Sequence, residues 1–350
     1  MRYFRENIQR MPGYIPGEQP KNGGHIKLNT NENPYPPSPR VIDRINACLT
    51  RDFLSLYPPP LCDGLRKQIS RVFGIPEEWI LVGNGSDELL NLAFRAFLDP
   101  KDTVAYPVPT YTLYRTLAQI QGAEPLEIPF HKDFALPNEF IGASASLKIL
   151  CNPNSPSGTY ISNQQVQTLV ENSNCPVLVD EAYVDFAEEN ALPLLNKHSN
   201  MLIARTLSKS FSLAGIRVGF VCAHPDIVEG LIKVKDSYNV SRLSQEAALA
   251  ALQDIPYMLS NVEKIRKIRD KVSNDFRQLG FEVFPSQANF ILVRQKGKDL
   301  GWLYGKLREE RILIRFFNDL PDSLRISIGS KDEMDQLVHA VVRLTKKSSP

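Results

Sequence analysis

Cysteine is scarce and scattered in this chain. Cys48, Cys62, Cys151, Cys175 and Cys222 are odd in number and form no Cys-x-x-Cys pair. That argues against a disulfide framework or a zinc module and predicts reduced thiols in a cytoplasmic protein. Histidine is as sparse: His25, His131, His198, His224 and His339 show no ligand spacing, so no metal is expected. No apolar run approaches the ~18 residues that suggest a membrane span. The stretch from Met1 to Pro20 carries Arg2, Arg5, Glu6 and Arg10 and lacks the apolar core of a secretory signal. Charge of one sign is also missing. With 41 basic against 39 acidic residues, the chain has no electrostatic reason to seek nucleic acid or an anionic membrane. There is no fixed-period repeat and no low-complexity tract. The two tryptophans, Trp79 and Trp302, are expected in the core rather than as stacking platforms.

What is present is ordinary globular composition, 43 % hydrophobic and 23 % charged over 350 residues. At about 150 residues per domain, this predicts roughly two domains. Residues 1–40 read as an arm, broken by Pro12, Pro16, Pro20, Pro34, Pro36, Pro37 and Pro39. Residues 41–240 alternate short apolar runs with helical stretches, which predicts an α/β domain with a mostly parallel, helix-covered sheet. Its apolar runs and strand candidates are Trp79 to Val82, Thr103 to Ala105, Leu147 to Cys151, Val177 to Val179, Leu202 to Ala204 and Val218 to Cys222. Residues 241–350 read as a smaller α+β domain. It opens with a long helix whose apolar positions, from Met258 through Val262, Ile265, Ile268, Val272 and Phe276 to Leu279, recur every three or four residues. The basic run Lys264, Arg266, Lys267, Arg269 and Lys271 on that helix is expected to be a solvated face.

Four local features could carry chemistry. Lys209, in Thr206-Leu207-Ser208-Lys209, stands just past the strand Leu202 to Ala204. Lysine forms a Schiff base with carbonyl cofactors such as pyridoxal 5'-phosphate (PLP); taken alone, it is as well read as a loop lysine. Asp180 ends the apolar strand Val177 to Val179, where open α/β sheets place ligands. A carboxylate there could keep a pyridine nitrogen protonated, or simply cap a helix or bind magnesium. The turn Gly83-Asn84-Gly85 before Ser86-Asp87 could cradle a phosphate at a helix N-terminus, or be a plain strand–helix turn. It is neither a Walker loop nor the dinucleotide glycine fingerprint. Arg217, downstream of Lys209, could pair with a phosphate. Together the four supply what PLP needs.

The set resembles the fold-type I PLP-dependent aminotransferases. The histidinol-phosphate aminotransferase branch is the most similar. The resemblance rests on Gly85-Ser86-Asp87-Glu88, Asn154-Ser155-Pro156-Ser157-Gly158, Asp180-Glu181-Ala182-Tyr183 and Thr206-Leu207-Ser208-Lys209. It extends to Tyr14-Ile15-Pro16-Gly17-Glu18-Gln19-Pro20, Leu28-Asn29-Thr30-Asn31-Glu32-Asn33-Pro34 and Leu324-Arg325-Ile326-Ser327-Ile328-Gly329, and so spans nearly the whole chain.

The resemblance implies that Lys209 holds PLP, Asp180 pairs with its ring nitrogen and Tyr183 with its ring oxygen. Ser86, Asp87, Thr206, Ser208 and Arg217 would hold its phosphate, and Tyr111 would stack on its ring. Tyr57 would reach the phosphate in a neighbouring subunit, which implies a homodimer. Arg315 and Arg325 resemble a substrate anion clamp, with Tyr14 and Asn31 beside the substrate. Where the family usually has Asn-Pro-Thr-Gly, this chain has Ser155 before Pro156 and Ser157 in place of Thr. A shorter hydroxyl can donate the same bond, and Asn154 is the residue that could compensate.

The activity implied is transamination of L-histidinol phosphate with 2-oxoglutarate. An aromatic amino acid aminotransferase is the nearest alternative. Threonine-phosphate decarboxylase and a non-catalytic PLP-fold binding protein stand behind it.

Overall fold

Short, mostly apolar runs build the central sheet. The computed structural model describes residues 3–14, 16–20 and 23–347. Met1, Arg2 and Ile15, which figure in the sequence reading, lie outside them. Seven strands form one sheet: β1 (Ile80–Gly83), β2 (Thr103–Val108), β3 (Glu124–Pro129), β4 (Leu147–Cys151), β5 (Val177–Asp180), β6 (Met201–Thr206) and β7 (Gly219–Ala223). Their spatial order is β1-β7-β6-β5-β4-β2-β3, and only β7 runs antiparallel to its neighbours. The sequence reading names no strand at Glu124–Pro129. That segment is an edge strand, largely exposed and holding two prolines, so it carries no apolar signature.

Alternation along the strands feeds two hydrophobic layers. Val177, Val179 and Ile203 join one buried cluster with Val166, Leu169 and Val170 from the helix Asn163–Glu171. Leu178, Leu202 and Ala204 point the other way, into a cluster with Leu90, Phe94 and Tyr114. With both faces covered, the inner strands present only their ends to solvent and ligand. Register brings Cys151 beside Asp180, Asp180 beside Ala204 and Thr206 beside Gly219 at one such edge.

Beyond this sheet, the helix Arg242–Leu252 packs on the helices Pro39–Cys48 and Asp63–Phe73. The long helix Ile255–Gln278 follows and stops before Gly280, whose φ is +82°. It buries Met258, Val262, Ile265, Val272 and Phe276. Its basic face is not uniformly solvated, as the sequence reading expected. Arg269 is only 9 % exposed and donates to the Ala288 carbonyl, and Arg266 donates to the carbonyls of Phe186 and Ala187. These arginines satisfy main-chain acceptors in loops that cannot form ladders. Trp302 also departs from expectation, at 42 % exposure.

A second, antiparallel sheet places Glu282–Val283, Phe290–Arg294, Ser323–Ser327 and Arg315–Phe316 side by side. The arm joins this body: Ile26–Lys27 pairs in parallel with Ile312–Leu313. Leu28 then enters the core, and the chain from Asn29 to Asn33 crosses to the end of the seven-stranded sheet. No helix among the described residues is long and apolar enough to cross a membrane.

Candidate active site

The carboxyl ends of the parallel strands, the arm and the second sheet enclose a cavity of about 440 Å3. Asp180, at the end of β5, is buried at its floor. Its Oδ1 accepts from the Ala182 N–H at 3.1 Å and its Oδ2 from the Tyr114 hydroxyl at 2.7 Å. Burial raises the carboxyl from 3.8 to about 6, and those two bonds act against the rise. The adjoining Glu181 is a structural group. Its carboxylate is held by Arg205 Nε at 2.8 Å and the Ala191 N–H at 2.6 Å.

Lys209 follows β6. Its Nζ donates to the Thr30 carbonyl at 3.2 Å and stands 5.7 Å from the centre of the Tyr183 ring. Burial, reinforced by the positive charge of Arg325, lowers this amine from 10.5 to about 8. At about 8 the amine is roughly one-tenth neutral at pH 7, far more than an ordinary lysine, and a nucleophile or base must be neutral.

The arm positions this lysine through consecutive residues. Asn29 gives its carbonyl to Arg325, and Thr30 gives its own to Lys209. Asn31 donates to the Tyr183 hydroxyl at 3.0 Å, while Asn33 donates to the carbonyls of Lys209 and Ser210. Glu32 accepts from Lys27 and from Thr30 Oγ1, which ties down the turn. Asn31 has a φ of 56°, a left-handed backbone that asparagine tolerates better than most residues. Its amide is committed to Tyr183 and Ser327 at the cavity wall. Burial pushes the Tyr183 hydroxyl up to about 12, so it remains a donor at neutral pH.

At the cavity's other end, Gly85 caps the helix Ser86–Phe97 with a φ of +83°. A Cβ there would meet Arg217 at 2.6 Å, and one at Gly219 would meet the Ser86 nitrogen at 2.6 Å. The two glycines therefore leave room for a helix N-terminus to sit against Arg217, whose own φ is 55°. Thr206 and Ser208 complete this wall; Arg217 reaches Ser208 Oγ and Asp87, each at 3.3 Å. Tyr111 lines the same side. Its hydroxyl donates to Asp87 at 3.2 Å, and Tyr14 meets its ring edge-on at 6.0 Å.

Arg315 and Arg325 line the same cavity, with Phe317. Arg325 donates to Ser155 Oγ at 3.0 Å and to the Asn29 carbonyl at 2.9 Å, and its buried Nε has no partner. Ser155 thus faces the cavity in contact with the arginine. Asn154 is 1 % exposed; it accepts from Thr110, which lines the cavity, and donates to the Pro109 carbonyl and Ser157. Tyr57 is outside the cavity lining. It is 78 % exposed and stacks on Tyr238 with ring centroids 4.4 Å apart.

These residues fit PLP. The donor set has one amine of lowered basicity, one buried carboxylate, a hydroxyl donor and an N-terminal cradle with an arginine. Sequence reasoning missed Tyr114 and the Thr30 carbonyl. Tyr114 sits on another helix, and a carbonyl carries no residue signature.

Over residues 24–341 the chain matches the family described as aminotransferase class I and II. It is 44 % identical over 343 residues to histidinol-phosphate aminotransferase 1 of Trichormus variabilis, covering 97 % of this chain and 98 % of that protein. The counterpart from Nostoc sp. is 45 % identical over 345 residues, covering 97 % of each. The crystal structure of histidinol-phosphate aminotransferase from Sinorhizobium meliloti in complex with pyridoxal-5'-phosphate superposes with a TM-score of 0.91 at 25 % identity. That match covers 100 % of this chain and 99 % of that one. The fold is that of the fold-type I PLP-dependent transferases, and the chain belongs to the class I and II aminotransferase family.

Proposed function

We propose that this chain uses PLP to transaminate L-histidinol phosphate with 2-oxoglutarate, yielding imidazole-acetol phosphate and glutamate in histidine biosynthesis. The observation that carries the substrate assignment is the placement of Arg315 and Arg325 in register on one wall of the cavity that holds Lys209. Relatives at 44 % and 45 % identity that bear the histidinol-phosphate name support it.

Lys209 would hold the cofactor covalently, Asp180 its ring nitrogen, Tyr183 its ring oxygen, and the wall at Ser86, Thr206, Ser208 and Arg217 its phosphate. When bound, PLP supplies a ring that stabilises the negative charge left when a substrate carbon loses its proton. The chain's residues do the rest. With the cofactor bound, Lys209 Nζ would be the base that takes the substrate's α-proton and the acid that returns it. Its neutral form prevails above about 8. Asp180 keeps a negative charge where the ring nitrogen requires a proton. The arginine pair binds the donor's phosphate in one half of the reaction and the acceptor's carboxylate in the other, through forked donors that suit both.

The reading includes a cytoplasmic homodimer. Tyr57 is exposed together with Leu54 and Leu56 beside a proline-rich turn, which favours cover by a second copy. All five cysteines are free and buried, in keeping with a reducing compartment. An aromatic amino acid aminotransferase is the second reading, favoured by Tyr14, Tyr111 and Phe317 in the lining. The test is glutamate formation from 2-oxoglutarate by the PLP-loaded protein with L-histidinol phosphate as donor. Turnover is expected. Its absence, with turnover on L-phenylalanine, would move the assignment to the second reading.

A further inference from the structure

Tyr114 is one of the largest fully buried side chains, and nothing above gives it a role in the reaction. It sits on the helix Leu113–Gln121, in the layer beneath the cavity. A hydroxyl buried this deeply is unfavourable unless it is hydrogen-bonded, and a phenylalanine would fill the space without that cost. The hydroxyl donates to Asp180 Oδ2 at 2.7 Å, and the Cys151 thiol is its other polar neighbour. The Ala182 N–H takes the other oxygen. The carboxylate therefore has its orientation set by two donors, one a main-chain group and the other this phenol.

Two further rings fix the phenol. Tyr106 and Tyr111 each meet Tyr114 edge-on, with centroids 5.7 Å away. Tyr106 is anchored in turn on Glu127, which Arg115 Nε also holds at 2.7 Å. The result is an aromatic column from the sheet's outer strand to the cavity, ending on Tyr111 and Asp180 together.

We infer that Tyr114 is a positioning residue for the reaction: its hydroxyl aims the Asp180 carboxylate at the cofactor's ring nitrogen, and its ring braces Tyr111. The inference rests on the PLP reading above. It supplies a physical cause for a carboxylate that stays usable while fully buried. Burial, with the negative charges of Asp87 and Glu181, raises the Asp180 carboxyl; the bonds from Tyr114 and the Ala182 N–H oppose that rise, and Cys151 and Tyr183 are the remaining titratable neighbours. Removing the bond frees the carboxylate to turn and lets it hold its proton to higher pH.

The test titrates apoprotein with PLP and with its 1-deaza analogue, which keeps the aldehyde, phosphate and ring oxygen but lacks the ring nitrogen. Wild type, Tyr114→Phe and Asp180→Asn are compared by dissociation constant across pH. The expected result for Tyr114→Phe is a loss of roughly ten-fold in PLP affinity, with less than about two-fold for the analogue. The acid limb of PLP binding should move to higher pH. Equal weakening of both ligands with an unmoved acid limb would make Tyr114 a packing residue and overturn the inference. Tyr114→3-fluorotyrosine keeps the shape and makes the hydroxyl a stronger donor, so it tests the same point should the phenylalanine variant not fold. It should shift the acid limb to lower pH, and an unchanged limb again overturns the inference. A wild type that binds no PLP at all would refute the cofactor reading itself, and the inference with it. That outcome is distinct from equal weakening in the variant.

Discussion

Arg315 and Arg325 are register partners across two antiparallel strands, so two guanidinium side chains stand side by side on one wall of the cavity. Like charges placed directly opposite in a sheet oppose each other, and an anion between them relieves the repulsion. A phosphate monoester carries more charge than a carboxylate to engage both. Arg325→Gln or Arg315→Gln should therefore impair L-histidinol phosphate more than L-phenylalanine, by an extra ~1.5–3 kcal/mol in the ratio of kcat/KM values. Equal losses for both donors would make the arginines braces between the two sheets instead.

Lys209 should be the point of covalent attachment. Borohydride reduction of the PLP-loaded protein, followed by peptide mapping, should find the label on Lys209 and on no other lysine. An amine must be neutral to attack a carbonyl, and this one is lowered to about 8 by burial and by Arg325. PLP capture by apoprotein should accelerate with pH and level off above about 8. In Arg325→Gln a positive neighbour is gone, so the midpoint should move to higher pH; an unmoved midpoint would assign the whole shift to burial.

Asp180 should weaken the apoprotein that it serves. Its carboxyl is raised from 3.8 to about 6, so between these values the folded state binds more protons than the unfolded state. Apoprotein stability then falls as pH rises through that window, and the penalty is fully present above about 6. Asp180→Asn should stabilise apoprotein at pH 7 by about 1–3 kcal/mol and show little advantage below the ordinary carboxyl range. The same variant should lose two to three decades in turnover if the ring-nitrogen contact supplies ~3–4 kcal/mol of transition-state stabilisation. Chemical denaturation at several pH values, beside steady-state rates, measures both.

Tyr57 should act on the neighbouring subunit. Mixing Tyr57→Phe subunits with Lys209→Ala subunits should generate heterodimers with one site free of both changes. Activity above that of either parent is expected after subunit exchange. A mixture that never exceeds the better parent, with exchange verified, would confine Tyr57 to its own chain.

The chemistry at the strand ends was legible because it is local. Asp180 ends an apolar run, Lys209 stands three residues past the strand that ends at Thr206, and the Gly83–Gly85 turn precedes a helix, so strand, turn and candidate group are read in one window. The long helix Ile255–Gln278 was legible for a similar reason, its buried stripe having one period throughout. What escaped depends on contacts between distant segments. Tyr114 reads as one more apolar position of its helix until the fold sets it against Asp180. Arg266 and Arg269 read as surface until loops bring carbonyls to them. The Asn154 amide is held by Thr110, the Pro109 carbonyl and Ser157, contacts that include a segment more than forty residues away in sequence.

The measurement that bears most directly on the proposed activity is kcat/KM of the PLP-loaded wild type for L-histidinol phosphate and for L-phenylalanine, each with saturating 2-oxoglutarate. The arginine pair predicts a preference for L-histidinol phosphate of at least about ten-fold, the equivalent of one charge-assisted hydrogen bond. A wild type that prefers L-phenylalanine would contradict the histidine-pathway assignment.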